Sequence, residues 1–442
     1  MLWPITAVRD PQGELTIGGV RVSELAAEYG TPLYLYDAAT IRARCRAYRD
    51  ACAAAYPRSR VVYAGKAYLG AAILGIIAEE GLWLDVVSGG ELVFAVRAGF
   101  PPERIVLHGN NKSAEELALA RRLGIGEIVV DNHHEIDLLE TLARELPGSF
   151  DVLLRINPGI DAHTHEYRKT GIVDSKFGLL IAPGDAARAV ERLLAIPGVR
   201  LRGYHAHVGS QINELEPFVA AVDVLFGFAA EMRARFGVVP EQISPGGGLG
   251  IQYLAGEPEP DIAAYAELVA GAVARAAARE EFEPPLLAVE PGRSIIGPAG
   301  VAVYRVGAIK EIPGIRRYVC VDGGMGDNIR PALYGAEYTA ELADRAGGDG
   351  APVTLAGKYC ESGDVLIGAV TLPEPRAGDL VVIPAAGAYC LAMASNYNLA
   401  LRPAVVLVGE EEGAARLIQR RETYDDLLTR EVGQVGARSG SS

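Results

Sequence analysis

The sequence lacks three features that would each place it in a particular class of protein. It has only 5 cysteines in 442 residues, an odd number without metal-ligand spacing, which argues against a disulfide scaffold or a cysteine metal site. No apolar run reaches 18 residues, and no basic region followed by an apolar one opens the chain, so neither a membrane span nor a signal peptide is expected. No block of lysine or arginine occurs and the net charge is −14, so nucleic acid is not an expected partner. These absences favour a cytoplasmic protein.

The composition is that of an ordinary globular chain. Half of the residues are apolar and 22% are charged, which allows a substantial buried core. Cys45 and Cys52 lie seven residues apart on a predicted helix, where we interpret them as small core residues. Cys320, within an apolar run, and Cys390 are likewise interpreted as structural.

Eight short apolar segments, each followed by a helical stretch, dominate the middle of the sequence. They are predicted to begin near Ser59, Leu82, Arg104, Glu127, Asp151, Val199, Gln242 and Pro285. Eight successive βα units are typical of a (β/α)₈ barrel, whose active site lies at the C-terminal ends of the strands. We therefore predict an α/β fold with a barrel over residues 36–295.

Short β-rich segments separated by turns replace this pattern after Glu290. They include residues 302–306, 318–321, 365–370 and 380–383. Such segments predict an antiparallel β domain or β-barrel over residues 296–435, completed by strands within residues 1–35. Residues 436–442 have the composition of a disordered end.

Residues suited to chemistry follow the predicted barrel strands. Lys66 follows the first strand, where a partly desolvated amine can form a Schiff base with a carbonyl, although a lone lysine there is more often a solvated loop charge. Residues 246–248 are three glycines after strand seven, and Gly292 and Arg293 follow strand eight. Barrels commonly bind phosphate with these two loops. The triple glycine alone is equally consistent with a flexible turn.

An acid and two histidines complete the predicted mouth of the barrel. Glu290 ends strand eight, where a buried carboxylate needs a partner such as a protonated ring nitrogen. His205 and His207 share one face of strand six, so either can ligate a metal or stack on an aromatic ring, and His205 can equally be a core histidine. No carboxylate or cysteine set is spaced to complete a metal site, so no metal is predicted. Lysine, phosphate loops, acid and stacking imidazole together predict a site for pyridoxal 5′-phosphate.

The same residues belong to motifs spread over nearly the whole chain. Between EYGTP (28–32) and SNYN (395–398) lie YAGKA (63–67), DVVSGGEL (85–92), GNNKS (109–113), RINPG (155–159), SKFG (175–178), HAHVGSQ (205–211), EPGR (290–293), RPALY (330–334) and CESGD (360–364). With these motifs the chain resembles the fold-type III pyridoxal-phosphate decarboxylases, and among them the branch that acts on diaminopimelate.

The resemblance implies a role for each matched site residue. Lys66 forms the Schiff base with the cofactor, His207 stacks on its ring and Glu290 pairs with the ring nitrogen. The residues implied around the phosphate are Ser210, Gly248, Gly292 and Tyr389, and those implied for a substrate carboxylate are Arg293, Arg330 and Tyr334, with Tyr389 also near the substrate. Cys360 protonates Cα after CO₂ leaves, and Glu361 holds the distal ammonium group.

The resemblance also implies a homodimer, because the loop with Cys360 and Glu361 reaches the neighbouring subunit's site in this family. The alternative for Cys360 is a buried small hydrophobe, and for Arg330 a surface ion pair. Two positions depart from the family pattern: Gly326 stands where a larger polar residue is expected, and Lys358 where proline is more frequent.

The activity implied is decarboxylation of meso-2,6-diaminopimelate to L-lysine, the last step of lysine biosynthesis. Residues 163–165 and 170–171 also favour the diaminopimelate branch. The alternatives are a related decarboxylase of ornithine, arginine, carboxynorspermidine or a carrier-bound amino acid and, from other classes, an amino-acid racemase or a non-catalytic cofactor carrier.

Overall fold

The structure is a computed structural model that describes residues 1–160, 174–345 and 350–432. The chain divides into two units. The first contains Met1–Leu2 and Thr40–Ala299, and the second contains Trp3–Ala39 and the described residues from Gly300 onward. Residues 163–165 and 170–171 and the tail at 436–442, on which the sequence carried expectations, lie outside the described residues.

The chain begins with small elements of the second unit. They are β1 (Val8–Arg9), β2 (Leu15–Ile17), β3 (Val20–Arg21), α1 (Val22–Tyr29) and β4 (Leu33–Asp37). Strands β1, β2 and β3 form a three-stranded antiparallel sheet of their own.

A closed parallel barrel forms the first unit. Its strands are β5 (Ser59–Ala64), β6 (Trp83–Val86), β7 (Ile105–Leu107), β8 (Glu127–Val130), β9 (Phe150–Asn157), β11 (Val199–His205), β12 (Gln242–Gly246) and β13 (Leu286–Val289), with β10 (Leu179–Leu180) added beside β9. The helices of this part of the chain are α2 (Ala38–Ala55), α3 (Ala71–Glu79), α4 (Gly89–Arg97), α5 (Ala114–Leu123), α6 (His133–Glu145), α7 (Asp185–Ala195), α8 (Glu216–Phe236), α9 (Ile262–Arg279) and α10 (Arg293–Ile296).

The barrel closes because β13 pairs with β5 and β8 pairs with β9. Each predicted barrel strand begins within one residue of its predicted start, so the predicted fold class is confirmed. A layer of apolar side chains from five strands fills part of the interior: Val62, Val106, Val129, Leu153 and Ala288. These strands are apolar along their length because both of their faces are covered in a barrel.

The N-terminal ends of the strands carry their own polar cluster. Arg60 pairs with Glu127 at 2.7 Å, and the amide of Gln242 donates to the same carboxylate at 3.0 Å. The guanidinium of Arg60 also lies 3.4 Å from the centre of the Trp83 ring. These groups pair with one another at the end of the barrel opposite the one where (β/α)₈ barrels have their active sites.

The second unit is built on a larger sheet. Its elements after the barrel are β14 (Gly300–Ile312), β15 (Arg316–Val321), α11 (Arg330–Tyr334), β16 (Glu341–Leu342), β17 (Ala351–Ala356), β18 (Val365–Leu372), β19 (Leu380–Ile383), β20 (Ala404–Val408), β21 (Ala415–Gln419) and α12 (Tyr424–Leu428). The strand order is β18-β17-β15-β14-β4-β20-β21, with β19 paired to β14 and β16.

This sheet is antiparallel except for two pairs of strands. Strand β15 runs parallel to β17, and β4 runs parallel to β20. The sequence predicted an antiparallel β domain or β-barrel and did not reveal these two parallel pairs. The partners in both parallel pairs are far apart in the chain or separated by another element, so no hairpin sets their direction.

Strand β4 is the N-terminal strand that completes the larger sheet. It lies between β14 and β20, with Leu33 opposite Val303 and Leu35 opposite Val301. These four residues belong to one buried apolar cluster.

Across the described residues, no helix is both long and apolar enough to cross a membrane.

We expect Leu153→Ala to lower the free energy of unfolding by about 2–5 kcal/mol, because it removes buried methyl groups from the barrel layer and leaves a cavity. The measurement is urea denaturation of the cofactor-free protein. Leu194→Ala is the control, since Leu194 is 45% exposed on α7. Equal losses in the two variants would contradict the assignment of Leu153 to the core.

Candidate active site

Glu290 directly follows β13 and is held by side chains of β11 and β12, the two strands that precede β13 in the sheet. Its Oε2 lies 3.0 Å from Nε2 of His205, the last residue of β11. Its Oε1 accepts a hydrogen bond of 3.0 Å from the hydroxyl of Ser244, in β12. Burial by itself raises the pKa of Glu290, but opposing interactions, of which those with the hydrogen-bonded His205 are the largest, outweigh it and hold that pKa below its ordinary value. The barrel therefore keeps an anionic carboxylate at this end.

His108 completes a cluster that the sequence spacing did not reveal. It follows β7, its ring is 5.0 Å from that of His205 in an edge-on arrangement, and its Nε2 lies 3.8 Å from Glu290 Oε1. Burial lowers the pKa of His108 well below its ordinary value. One nitrogen or oxygen atom from each of His108, His205 and Glu290 lies within 4.8 Å of the other two, a spacing that suits one shared metal ion. His205 is thus buried and hydrogen-bonded to Glu290, in agreement with the alternative of a core histidine.

His207 lies two residues beyond, against the glycine loop. Its Nδ1 accepts a hydrogen bond of 3.4 Å from the backbone N–H of Gly247. Burial and the nearby positive charge of Lys66 lower the pKa of His207, so its ring is neutral. A Cβ on Gly247 would overlap the carbonyl oxygen of Glu290, and Gly248 has a φ of +121°. The loop is therefore closely packed, which argues against the flexible-turn alternative.

Arg293, shortly after β13, connects the segments that follow β11 and β12. Its Nη2 donates to the Ser210 hydroxyl at 2.9 Å, and its Nη1 donates to the Tyr253 hydroxyl at 2.6 Å. Arg293 is buried. Gly292, directly before it, packs against the end of β5, since a Cβ there would lie 2.9 Å from the Ala64 Cβ. This end of the barrel thus contains a buried cation beside a hydroxyl and two glycine positions.

Lys66 lies in the turn Gly65–Ala67 directly after β5, and its side chain is exposed. Asp85 of β6 is buried, and its Oδ1 has no hydrogen-bond partner among the residues the structure describes. Burial raises the pKa of Asp85 to about 8, against the opposing effect of the Lys66 charge. Arg155 of β9 is also buried, with its guanidinium 4.4 Å from the centre of the Phe177 ring.

The remaining expected site residues lie in the second unit. Arg330 begins α11 and is only 1% exposed, so the alternative of a surface ion pair is wrong. Its Nη1 donates to the hydroxyl of Tyr338. Tyr334 ends the same helix and contacts the sulfur of Met393. Tyr389 has a φ of +63°, and a bulky residue keeps this unfavourable conformation only where its surroundings impose it.

Cys360 and Glu361 lie in the loop between β17 and β18, and both are exposed. The alternative of a buried hydrophobe is therefore wrong for Cys360. Its backbone N–H donates to the side-chain oxygen of Asn398 at 3.0 Å. Cys45, Cys52 and Cys390, in contrast, are buried, as their structural interpretation expects.

The structure thus groups the expected residues by unit. Lys66, His207, Ser210, Gly248, Glu290, Gly292 and Arg293 lie at strand ends or in the following loops of the barrel, and Arg330, Tyr334, Cys360, Glu361 and Tyr389 lie in the second unit. Six further residues beside these were given no individual role from the sequence: Asp85, His108, Arg155, Ser244, Tyr253 and Tyr338. Asp85 and His108 were already marked by their position at the ends of barrel strands, and the same signal was available for Arg155.

A comparison with protein-family models identifies the barrel. Residues 38–297 match the pyridoxal-dependent decarboxylase family over its pyridoxal-binding domain. The chain belongs to this family. Its cofactor is pyridoxal 5′-phosphate.

Individual relatives match both units. The chain is 49% identical to the diaminopimelate decarboxylase of Bacillus subtilis over 96% of each protein, and 45% identical to that of Mycobacterium bovis over 98% of each. Among solved structures, diaminopimelate decarboxylase from M. jannaschii in co-complex with L-lysine has a TM-score of 0.90 at 33% identity, covering 98% of this chain and 99% of that one.

The raised pKa of Asp85 predicts a stability that falls with rising pH. Between pH 4 and about 8 the folded protein retains a proton on Asp85 that the unfolded chain loses, so this residue's contribution declines across that window. We expect Asp85→Asn to raise the melting temperature of the cofactor-free protein at pH 8 relative to the original, with little difference at pH 4. Calorimetry across this range makes the comparison. A constant difference at all pH values would contradict the prediction.

Proposed function

We infer that this chain decarboxylates meso-2,6-diaminopimelate to L-lysine and CO₂. The observation that carries this inference is the extent of the similarity to diaminopimelate decarboxylases, 45–49% over 96–98% of the chain. The match includes the second unit, where Arg330, Cys360 and Glu361 lie, as well as the barrel.

The end of the barrel fits the cofactor by its charges. When bound, pyridoxal 5′-phosphate supplies an aldehyde for the substrate's amine and a protonated pyridine ring that accepts the electron pair left by CO₂. Glu290 is the residue that we propose for the ring nitrogen, because its carboxylate is kept anionic and fixed by His205 and Ser244. A fixed anion there holds the nitrogen's proton, and this stabilises charge as it develops.

Other barrel residues account for the rest of the cofactor. The Lys66 amine is the proposed attachment point for the aldehyde, and the neutral ring of His207 is the proposed stacking surface. Ser210, Gly248 and Gly292 are proposed at the phosphate. The bond from Arg293 to the Ser210 hydroxyl favours Arg293 there too, rather than at the substrate carboxylate where the family resemblance put it.

The second unit supplies the proposed substrate groups. Arg330 offers a buried guanidinium for a carboxylate, with Tyr334 and Tyr389 as its proposed neighbours. The exposed thiol of Cys360 is the proposed proton donor to Cα, and Glu361 the proposed partner of the distal ammonium.

We also propose that two copies share their sites, with each Cys360 loop serving the partner subunit. Exposure of Cys360 and Glu361 supports this arrangement, because a loop that serves another subunit must be accessible on its own. A free catalytic thiol requires a reducing environment, which favours the cytoplasm.

We propose diaminopimelate as the substrate, and not a related amino acid, because its far end carries a carboxylate as well as an amine. A site for it needs a cation and an anion, and Arg330 with Glu361 provides one of each. A decarboxylase of ornithine or arginine needs no such cation. A racemase needs a second base on the β domain, for which the sequence offers no better candidate than Cys360, and a cofactor carrier needs only the barrel.

The direct test is to supply cofactor-loaded protein with meso-diaminopimelate, ornithine, arginine and lysine in parallel, and to measure CO₂ and amine products. We expect L-lysine and CO₂ from diaminopimelate alone. Lys66→Ala is the control and is expected to give no product. Turnover of ornithine or arginine in preference to diaminopimelate would disprove the substrate assignment, and epimerised substrate without CO₂ would support a racemase.

Glu361→Ala is expected to raise the KM for diaminopimelate about 10-fold or more, since a charge-assisted bond contributes about 1.5–3 kcal/mol, and to leave cofactor affinity unchanged. Steady-state kinetics and equilibrium titration of the cofactor measure the two quantities. Glu361→Asp is the matched variant because it retains the charge, and it is expected to lose less. Equal losses of substrate and cofactor affinity would show that Glu361 does not contact the substrate.

A further inference from the structure

In the second unit, the ring of Tyr359 occupies the space that a side chain at position 326 would need. An ideal Cβ on Gly326 would lie within 3.0 Å of three atoms of Tyr359: the hydroxyl oxygen and two ring carbons. Gly326 is also one of the two positions where the family resemblance leads us to expect a different residue, here a larger polar one. The Tyr359 ring fills the space that such a side chain requires.

The backbone itself does not require glycine at this position. Gly324, two residues earlier, has a φ of +151° and needs glycine for conformational reasons, whereas the φ of Gly326 lies outside the left-handed region. Any residue can adopt such a backbone, so the obstacle to a side chain at 326 is the neighbouring tyrosine. The tyrosine ring at 359 can therefore occupy its position only because residue 326 has no side chain.

Tyr359 is fixed by its other contacts as well. Its ring stacks on Tyr397, with centroids 5.9 Å apart and planes tilted by 27°. Its backbone N–H donates to Oδ2 of Asp364 at 2.8 Å, and Oδ1 of the same carboxylate accepts from the N–H of Met325 at 2.7 Å. The Asp364 carboxylate thus joins the backbone of Met325, directly before Gly326, to the backbone of Tyr359.

The next two residues in the loop are Cys360 and Glu361. Their backbone is held on one side by Asn398, through the N–H of Cys360, and on the other by a bond of 2.8 Å from the N–H of Glu361 to the carbonyl of Tyr359. A displacement of Tyr359 therefore moves the backbone from which both side chains project.

We propose that Tyr359, seated in the side-chain space of Gly326 and stacked on Tyr397, is a positioning residue that sets the location of Cys360 and Glu361. Its importance for catalysis rests on the proposed function of those two residues; the Gly326–Tyr359 pairing does not. A side chain at 326 displaces the ring, and loss of the ring frees the loop.

The test compares the original protein with Gly326→Ala, Tyr359→Ala and the double variant, all loaded with cofactor. Gly326→Ala is expected to lower kcat/KM for diaminopimelate by up to about 100-fold, the scale of a 1 Å misplacement of a reacting group. Tyr359→Ala lowers it less. In the double variant the overlap is gone, so its kcat/KM equals that of Tyr359→Ala rather than the product of the two losses.

A second readout does not depend on turnover. The rate at which iodoacetamide alkylates Cys360, measured by mass spectrometry of its peptide, reports the position of the loop, and Cys320 serves as the internal reference. Both single variants are expected to change the rate at Cys360 and not at Cys320, and Tyr359→Phe, which keeps the stacked ring, restores the original rate. Tyr359→Ala provides this answer even if Gly326→Ala does not fold, because Tyr359 is partly exposed.

The outcomes distinguish the contact between positions 326 and 359 from the effect of Tyr359 on the Cys360 loop. Independent, multiplying losses for the two substitutions would overturn the pairing. An unchanged alkylation rate in Tyr359→Ala would overturn the positioning role. Coupled alkylation rates together with no activity on diaminopimelate in the original protein would retain the pairing and reject the proposed function.

Discussion

The fixed carboxylate of Glu290 is the interaction on which the barrel site depends. A buried anion is costly unless it is paired and hydrogen-bonded. Here His205 and Ser244 each take one oxygen of the carboxylate, and they come from the two strands that precede β13 in the closed sheet. The pairing exists only if strands β11, β12 and β13 are adjacent and in register. The buried charge of Glu290 therefore requires the barrel to be formed, because only the folded barrel brings its two hydrogen-bond partners to it.

The closure of the barrel was predictable because it depends on a repeated local pattern. Eight apolar segments with helical stretches between them leave few topologies open, and parallel strands bring their C-terminal ends to one side. This was enough to expect Lys66, Glu290 and the glycine loop at the same end of the barrel. The order in which polar residues meet around that end depends on side-chain length and direction. For that reason the contacts of His108, His205 and Ser244 with Glu290 could not be predicted from the sequence.

The second unit was harder to anticipate. Its strand segments were visible in the sequence, since each is a short apolar run between turns. Strand direction was not visible, because pairs such as β4 with β20 join segments that no turn connects. Likewise, the resemblance marked Gly326 as unexpected, but the contact that a side chain would make there is with a tyrosine 33 residues away, which only the folded chain brings close.

Strand β4 has a consequence for the order of folding. It lies inside the larger sheet, and its partners β14 and β20 follow the whole barrel in the chain. During synthesis β4 leaves the ribosome long before either partner exists, while the barrel strands emerge in the order in which they pair. The barrel therefore has its complete set of strands first, and an apolar strand, LYLY over residues 33–36, waits with both edges unpaired. In the growing chain this segment therefore has no strand partner until residues 300–312 and 404–408 have been made.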